Sequence, residues 1–344
     1  MAIFRRTNLV ALIGLIRAAV AVAAMFPIPA GVFASCGSAV CPMDPQSLNL
    51  PLPRQFTLDV SFQYIDQDQV RIGRRRGEVG EIPSTHDEVE TVNRALGLLA
   101  NYAPSDRLVL SAVVPFVSRF HEHIEDEHAA STASVRGLRH ESVETWHFQD
   151  LGDVAVGARY RLGTKFWATG GVELPTGARR PANDEGEVAE PTLAPGSGST
   201  DFFGGLVYQT QLEVPSLSRG LLGNASVMPF FVGATYRRNG RGTEDYRQGD
   251  ELLVNAGLNY PLFARLQVLA QVNADFRDRD DVGNTDEDPG HTGRTSVYLS
   301  PGVRVGLPGG IAAYWLVQIP VYQRVNGIQL TAGYNLVGGI QARF

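Results

Sequence analysis

Outside residues 1–34 the sequence has no apolar run of eighteen or more residues, and a membrane-spanning helix needs about twenty. A helical membrane protein is therefore excluded. Lysine is very rare, and the formal net charge is −6. No basic surface interleaved with aromatic residues is visible, which argues against nucleic acid as a partner. A phosphate-cradling loop and a strand-to-helix nucleophile elbow are both missing, and no cofactor is expected. Cysteine is confined to two positions, Cys36 and Cys41. None of these absences excludes a membrane barrel, because half of each barrel strand faces a polar interior. The 37 Gly and 11 Tyr suit glycine-rich strands with aromatic girdles.

The last stretch, Ile328 to Phe344, alternates without a break. Ile328, Leu330, Ala332, Tyr334, Leu336, Ile340, Ala342 and Phe344 fall on one face; Gln329, Thr331, Asn335, Gln341 and Arg343 fall on the other. Side chains of a strand alternate between faces, so this is one long amphipathic strand. It is too long for an ordinary sandwich strand and suits a tilted strand that crosses a bilayer and protrudes from it. An exposed strand of a soluble barrel is the alternative at this point. The terminal aromatic resembles the signal by which outer-membrane barrels are recognised, so Phe344 is expected to serve as an assembly signal for the barrel-assembly machinery.

The same alternation recurs at 55–70, 92–103, 107–120, 150–162, 165–174, 201–212, 227–238, 252–260, 265–277, 295–307 and 311–323. Pro104-Ser105-Asp106, Gly163-Thr164, Pro261-Leu262-Phe263 and Pro308-Gly309-Gly310 read as tight turns. Long polar connections fall mostly after odd strands and short ones after even strands. The exceptions follow strands six and eleven. The pattern predicts an all-β fold: a single antiparallel up-and-down transmembrane barrel of about twelve strands over 55–344, of the Gram-negative outer-membrane type. Both termini then lie on the periplasmic side. Lipid and lipopolysaccharide of the outer membrane are its expected surroundings.

Ahead of the barrel, residues 1–34 read as a signal peptide, with Arg5 and Arg6, an apolar region from Leu9, and a cleavage site at Val32-Phe33-Ala34. Residues 35–54 read as an irregular periplasmic segment rich in Pro and Ser. In an oxidising compartment Cys36 and Cys41 are expected to form a small disulfide loop. Metal binding and thiol chemistry are the alternatives, and a lipoprotein reading would acylate Cys36.

Two segments resemble a known family. Leu151-Gly152-Asp153-Val154-Ala155-Val156-Gly157-Ala158-Arg159-Tyr160 is similar to a recurring strand of outer-membrane transporters associated with phenol and other aromatic degradation pathways. Val172-Glu173-Leu174-Pro175-Thr176-Gly177, followed by Pro195-Gly196-Ser197-Gly198-Ser199-Thr200-Asp201-Phe202, looks like that family's next segment. The resemblance covers about 150–210 and does not include the Cys36–Cys41 segment. It implies a passive, porin-like channel for small, hydrophobic or aromatic solutes.

The densest set of ligand-type side chains is His121-Glu122-His123-Ile124-Glu125-Asp126-Glu127-His128. His121, His123 and His128 are weak metal candidates; a solvated acidic outer loop is the favoured reading. Asp278 to His291 forms a second acidic loop that only loosely resembles a calcium loop. The strand register directs Asp59, Arg159, Glu173, Arg237, Arg265, Asp275 and Arg343 into the lumen. Arg161, Arg277, Trp167, Phe203, Phe231 and Tyr314 join them. Such a mixture either lines a path for amphipathic solutes or plugs a narrow barrel. The functional readings are therefore a channel, a structural barrel with a closed lumen, or an outer-membrane hydrolase using His140 or His147. The first is preferred, so no enzymatic activity is expected.

Overall fold

The computed structural model describes residues 52–81, 87–126, 141–213, 227–285 and 287–344. The signal-peptide segment, Cys36, Cys41, His128 and His140 lie outside the described residues. Fourteen strand segments form one closed antiparallel sheet. One of them, Arg75–Arg76, is a two-residue flap folded back on the first strand. Glu141–Leu151 and Val154–Arg161 follow one another along the same neighbour and occupy one position in the wall. The wall therefore has twelve strands: β1 (Phe56–Ile72), β2 (Asp87–Tyr102), β3 (Leu108–Asp126), β4 (Glu141–Leu151 and Val154–Arg161), β5 (Phe166–Leu174), β6 (Asp201–Glu213), β7 (Val227–Arg238), β8 (Glu251–Pro261), β9 (Leu266–Arg277), β10 (Arg294–Gly306), β11 (Ile311–Val325) and β12 (Ile328–Arg343). Each pairs with its sequence neighbours, and β12 closes onto β1. Closure leaves no free edge at the seam, and in lipid every backbone group must find its partner inside the protein. The closing pair is Phe56 with Phe344, each N–H donating to the other's carbonyl at 3.2 and 2.9 Å.

Side-chain alternation places an apolar belt outside. Phe62, Leu110, Leu206, Val272, Val303 and Trp315 are exposed, as lipid-facing positions should be. Tyr102, Tyr160 and Tyr236 are exposed near strand ends, where their amphipathic rings suit a membrane interface. The inner face is polar and hydrogen-bonded. The Tyr314 hydroxyl donates to Asp59 at 2.9 Å, Arg304 to Gln341 at 2.6 Å, and Ser300 to Asn273 at 2.6 Å. Tyr314 reaches Asp59 across β12 over Gly339, where a Cβ would lie 2.5 Å from the Tyr314 oxygen. Glycine is required there by close approach.

The wall is uneven in height. Following paired residues around the barrel from Arg294, at the rim of long connections, leads through Glu251, Gly171 and Asn101 to Arg343 at the opposite rim. One circuit thus descends the length of a strand, which is the stagger that strand tilt imposes on a barrel. The last pair between β4 and β5 is Val154 with Leu174. Beyond it, the Glu141–Leu151 segment pairs with β3 alone. A step in the wall stands beside that segment.

Three strands are longer than the sequence pattern predicts. β2 begins at Asp87, β3 runs to Asp126, and β4 begins at Glu141. The expected solvated loop from His121 onward is therefore corrected: His121 and His123 are strand residues with buried, inward side chains. The outer face at this height carries Glu122, Thr145, His147 and Gln149. Water outside and polar groups inside erase the apolar alternation by which a strand is recognised.

Candidate functional site

The two segments that resemble a transporter family meet in space. Gly152-Asp153 is the break between the two halves of β4. Asp153 accepts from the Gly177 N–H at 2.8 Å through Oδ1. Through Oδ2 it accepts from the Ser197 N–H at 2.7 Å and the Ser197 hydroxyl at 2.8 Å. Thr176 accepts from the Val154 N–H at 2.9 Å. Ser199 donates to Asp201, which also accepts from the Gly240 N–H. Gly177 and Gly196 touch backbone to backbone: a Cβ on Gly196 would lie 2.6 Å from the Gly177 carbonyl carbon. Hydrogen bonds to a charged acceptor contribute roughly 1.5–3 kcal/mol each, so Asp153 fixes both ends of the 175–200 connection beside the wall step.

Pinned at its ends, this connection folds its middle into the barrel. Ala182–Val188 is a mostly exposed tip closed by one bridge, and Ala189 to Gly196 is mostly buried. Ala189 and Leu193 pack with inward Val117, Trp146 and Phe148. Trp146 donates its indole N–H to the Glu187 carbonyl at 3.2 Å, and Arg119 donates to the Thr192 carbonyl at 2.9 Å. Arg119 is fully buried and also bonds Asn93 at 2.5 Å. Around them, His123 meets Glu144 at 3.1 Å, His121 meets Thr91 at 2.8 Å, and both imidazoles contact the Trp146 ring. The segment 189–196 is an internal plug.

The other long connections knit over it. Arg180 pairs with Glu244 at 2.6 Å, the Thr243 N–H donates to Ser197, and the Asn284 N–H donates to Glu244. In the acidic 278–293 connection Asp278, Asp281 and Asp288 are exposed, as expected of a solvated loop, while Asp280 is buried. Buried Asp280 accepts from Arg277 through both oxygens, from the Tyr246 hydroxyl and from the Gly249 N–H. Burial and the neighbouring Glu287 and Asp280 push the Tyr246 phenol well above its usual range. Burial would also raise the Asp250 carboxyl, but hydrogen bonds from Tyr236, the Asn239 N–H and Arg247 leave it lowered.

Between plug and wall lies a cavity of about 580 Å³. Small-molecule pockets span roughly 300–1,000 Å³, and about 150 Å³ suffices for benzene. Ile65, Leu193 and Leu330 give it apolar surface, while Glu88, Glu190 and Glu287 bring three carboxyls to its wall. Burial, with Glu190 next in strength, raises the Glu287 carboxyl to about 8.

Towards the short-turn rim the lumen narrows between two apolar clusters. Ala103, Val109, Trp167, Val207 and Phe231 form one; Leu269, Tyr314, Leu316 and Val337 form the other. The Phe203 ring closes over Gly171 and Gly157: a Cβ at Gly171 would lie 2.3 Å from its Cζ, and one at Gly157 3.1 Å from it.

Of the residues expected in the lumen, Asp59, Glu173 and Asp275 are buried inside. Arg237 pairs with Glu173 at 2.9 Å, and Asp275 takes Arg294 at 2.7 Å. Arg159 and Arg343 are half-buried, the latter at the last position of β12. Arg265 is corrected: it lies in the turn between β8 and β9, exposed at the rim. His147 is exposed on the outer face, and its expected companion His140 is not among the described residues. Among the described residues no group of three His, Cys, Asp or Glu is arranged to hold a metal ion. Arg119, Trp146 and Leu193 were not legible as a set, although the period-two register of β3 carries Arg119 inward with Val109 and Val117.

No family model and no curated protein matches the sequence. Solved structures do. The crystal structure of an outer membrane channel from Pseudomonas putida F1 aligns at 15% identity over 88% of this chain and 100% of that chain, with a TM-score of 0.56. A FadL homologue from Pseudomonas aeruginosa aligns at 13% identity over 92% and 99% with a TM-score of 0.41. The Ralstonia pickettii toluene transporter TbuX aligns at 9% over 89% and 95%, with a TM-score of 0.42. The first likeness is one of fold: this chain has the closed β-barrel architecture of an outer-membrane protein. The other two are too loose to add to it.

Proposed function

We propose that the protein is a bacterial outer-membrane channel through which small, apolar or aromatic solutes pass without an energy source. The observation that carries the reading is the plugged mouth. A closed twelve-stranded barrel holds a segment of its own chain inside, next to a cavity large enough for an aromatic solute and beside a step in the wall. The outer membrane channel from Pseudomonas putida F1, similar in fold, supports the same class. In this reading the short-turn rim and both termini are periplasmic, residues 1–34 direct export, and Phe344 is recognised during assembly. Lipopolysaccharide surrounds the long-loop rim.

One observation favours a second reading, a structural barrel with a closed lumen. Two clusters of buried apolar side chains, Ala103, Val109, Trp167, Val207 and Phe231 in one and Leu269, Tyr314, Leu316 and Val337 in the other, occupy the inside of the wall towards the short-turn rim. Conductance in planar bilayers separates the two. Discrete single-channel steps that grow when the plug is loosened support the channel. Silence from both wild type and a plug-loosened variant that inserts normally supports the closed barrel.

A further inference from the structure

β11 and β12 are paired from Ile311 with Ala342 up to Gln318 with Asn335, and above that level their ladder stops. The split holds a second pocket, of about 390 Å³, whose lining includes Arg71, Arg74, Arg76, Tyr322, Gln323 and Gly333. It faces outward. Tyr322 pairs with Val297, whose neighbours Ser296 and Tyr298 are the buried, inward residues, and Val321 alongside is exposed.

The three arginines are held only by neutral groups. Arg71 donates to the Arg74 carbonyl at 2.7 Å and to Gln323 at 3.0 Å. Arg74 donates twice to the Tyr322 hydroxyl, at 3.2 and 2.9 Å, and lies over its ring. Arg76 reaches Gln69 at 3.4 Å. Arg75 differs, being paired with Glu81 at 2.5 Å. Among the described residues no carboxylate pairs with Arg71, Arg74 or Arg76; exposed Asp68 is near in sequence but does not bond them. Arg71 and Arg76 are directly opposed in the strand register, a placement that destabilises like charges. The Arg71 Nε–H is buried without a partner. Cations opposed at close range, with a spare buried donor, complete themselves on an anion of several oxygens, and guanidinium forks match phosphate.

We infer that this pocket binds the phosphate of a lipid headgroup in the leaflet at the long-loop rim, a phosphorylated glucosamine lipid of the lipid A class. The height of the site selects the lipid over a soluble phosphate. Ile319, Val321 and Tyr334 are exposed next to it at the upper margin of the apolar belt, so a lipid with its chains on the belt carries its headgroup to the arginines. The inference rests on the orientation in the proposed function.

The test compares wild type with the double variant Arg74→Glu, Arg76→Glu in detergent, titrated with diphosphoryl lipid A, the same lipid without its phosphates, and inorganic phosphate. Arg107→Glu, exposed at the opposite rim, is the control, and heat-modifiable gel migration verifies that each barrel is folded. Wild type and control are expected to bind diphosphoryl lipid A at least tenfold more tightly than the dephosphorylated lipid, with the double variant losing that preference. Equal binding by the double variant, or no preference for phosphate in wild type, overturns the inference. Saturation by inorganic phosphate at the lipid's own concentrations overturns the lipid assignment. Loss of binding in Arg107→Glu alone overturns the orientation. Absence of solute flux with lipid binding intact removes the channel reading and leaves this site standing.

Discussion

Asp153 and Ser197 are joined twice, through the Ser197 N–H at 2.7 Å and its hydroxyl at 2.8 Å. They are 44 residues apart, and the chain between them makes two wall strands, leaves the wall, enters the barrel and returns. A single carboxylate therefore ties both ends of the plug segment to the break in β4.

Asp153→Ala leaves the Gly177 and Ser197 N–H donors without their acceptor in a partly buried site, at a cost of at least about 2 kcal/mol. The expected result is faster hydrogen exchange at Gly177 and Ser197 with the strand amides of β8 to β10 unchanged. Asp153→Asn, which keeps one acceptor oxygen, is expected to fall between. Unchanged exchange in Asp153→Ala would remove Asp153 from its fixing role.

Arg119→Met tests the plug from the wall side. It removes the donors to Thr192 and Asn93 while keeping an apolar stem of similar length. Single-channel recordings are expected to show more frequent open events, at a stability loss of roughly 1–3 kcal/mol. A variant that assembles normally and opens no more often than wild type would mean that the Thr192 contact does not hold the plug.

The Glu287 carboxyl is raised to about 8 by burial and by neighbouring carboxylates, chiefly Glu190, with Asp280 and Glu88 adding to it; the Tyr246 hydroxyl donates to it and opposes them. A raised folded-state pKa means that the folded cap holds the proton more tightly than the unfolded chain. The stabilisation is fully present below the ordinary glutamate value of 4.5 and is lost as pH rises towards about 8. Protease nicking of the 278–293 connection is expected to accelerate across that window, from about pH 4.5 to about pH 8. Glu287→Gln is expected to flatten the dependence; a variant that keeps the wild-type slope would assign the titration elsewhere.

Gly339→Val places a side chain where the Tyr314 ring passes to reach Asp59. Overpacking of this kind costs about 1–3 kcal/mol. The temperature at which the folded gel band converts to the unfolded one is expected to drop, and Gly339→Ala by less. Equal conversion temperatures would show that the ring can move aside freely.

The strands were legible wherever one face meets lipid and the other the lumen. The period-two pattern of Leu252 to Tyr260 and of Leu266 to Phe276 fixes both strand and facing, and the structure pairs them in that register. It fails at 121–126 and 141–149, where the outward face is largely polar and the inward face mixes His121 and His123 with Trp146 and Phe148, because the β2–β4 wall rises past the apolar belt. Arg265 was placed inward by parity, which carries no information at a turn. Nor does alternation reveal that a loop folds inward. Ala189 and Leu193 look like any residues of a long connection until Val117, Trp146 and Phe148, from two other strands, supply the apolar contacts. Gly152-Asp153 and Pro195 to Asp201 were visible as motifs, but only the fold shows that they bond to one another.

The most direct test of solute passage through the plugged mouth is flux of benzenesulfonate, an aromatic anion that stays ionised and crosses lipid slowly, into proteoliposomes. The comparison is between wild type and a variant with cysteines at Val117 and Leu193, members of one buried cluster, in a background with Cys36 and Cys41 replaced by Ser. Wild type and the reduced variant are expected to carry benzenesulfonate at least tenfold faster than protein-free liposomes. Oxidation of the variant, which ties the plug to the wall, is expected to remove most of that flux, and reduction to restore it. Flux in wild type no faster than in protein-free liposomes, from barrels shown to be folded and inserted, would contradict passage through this mouth.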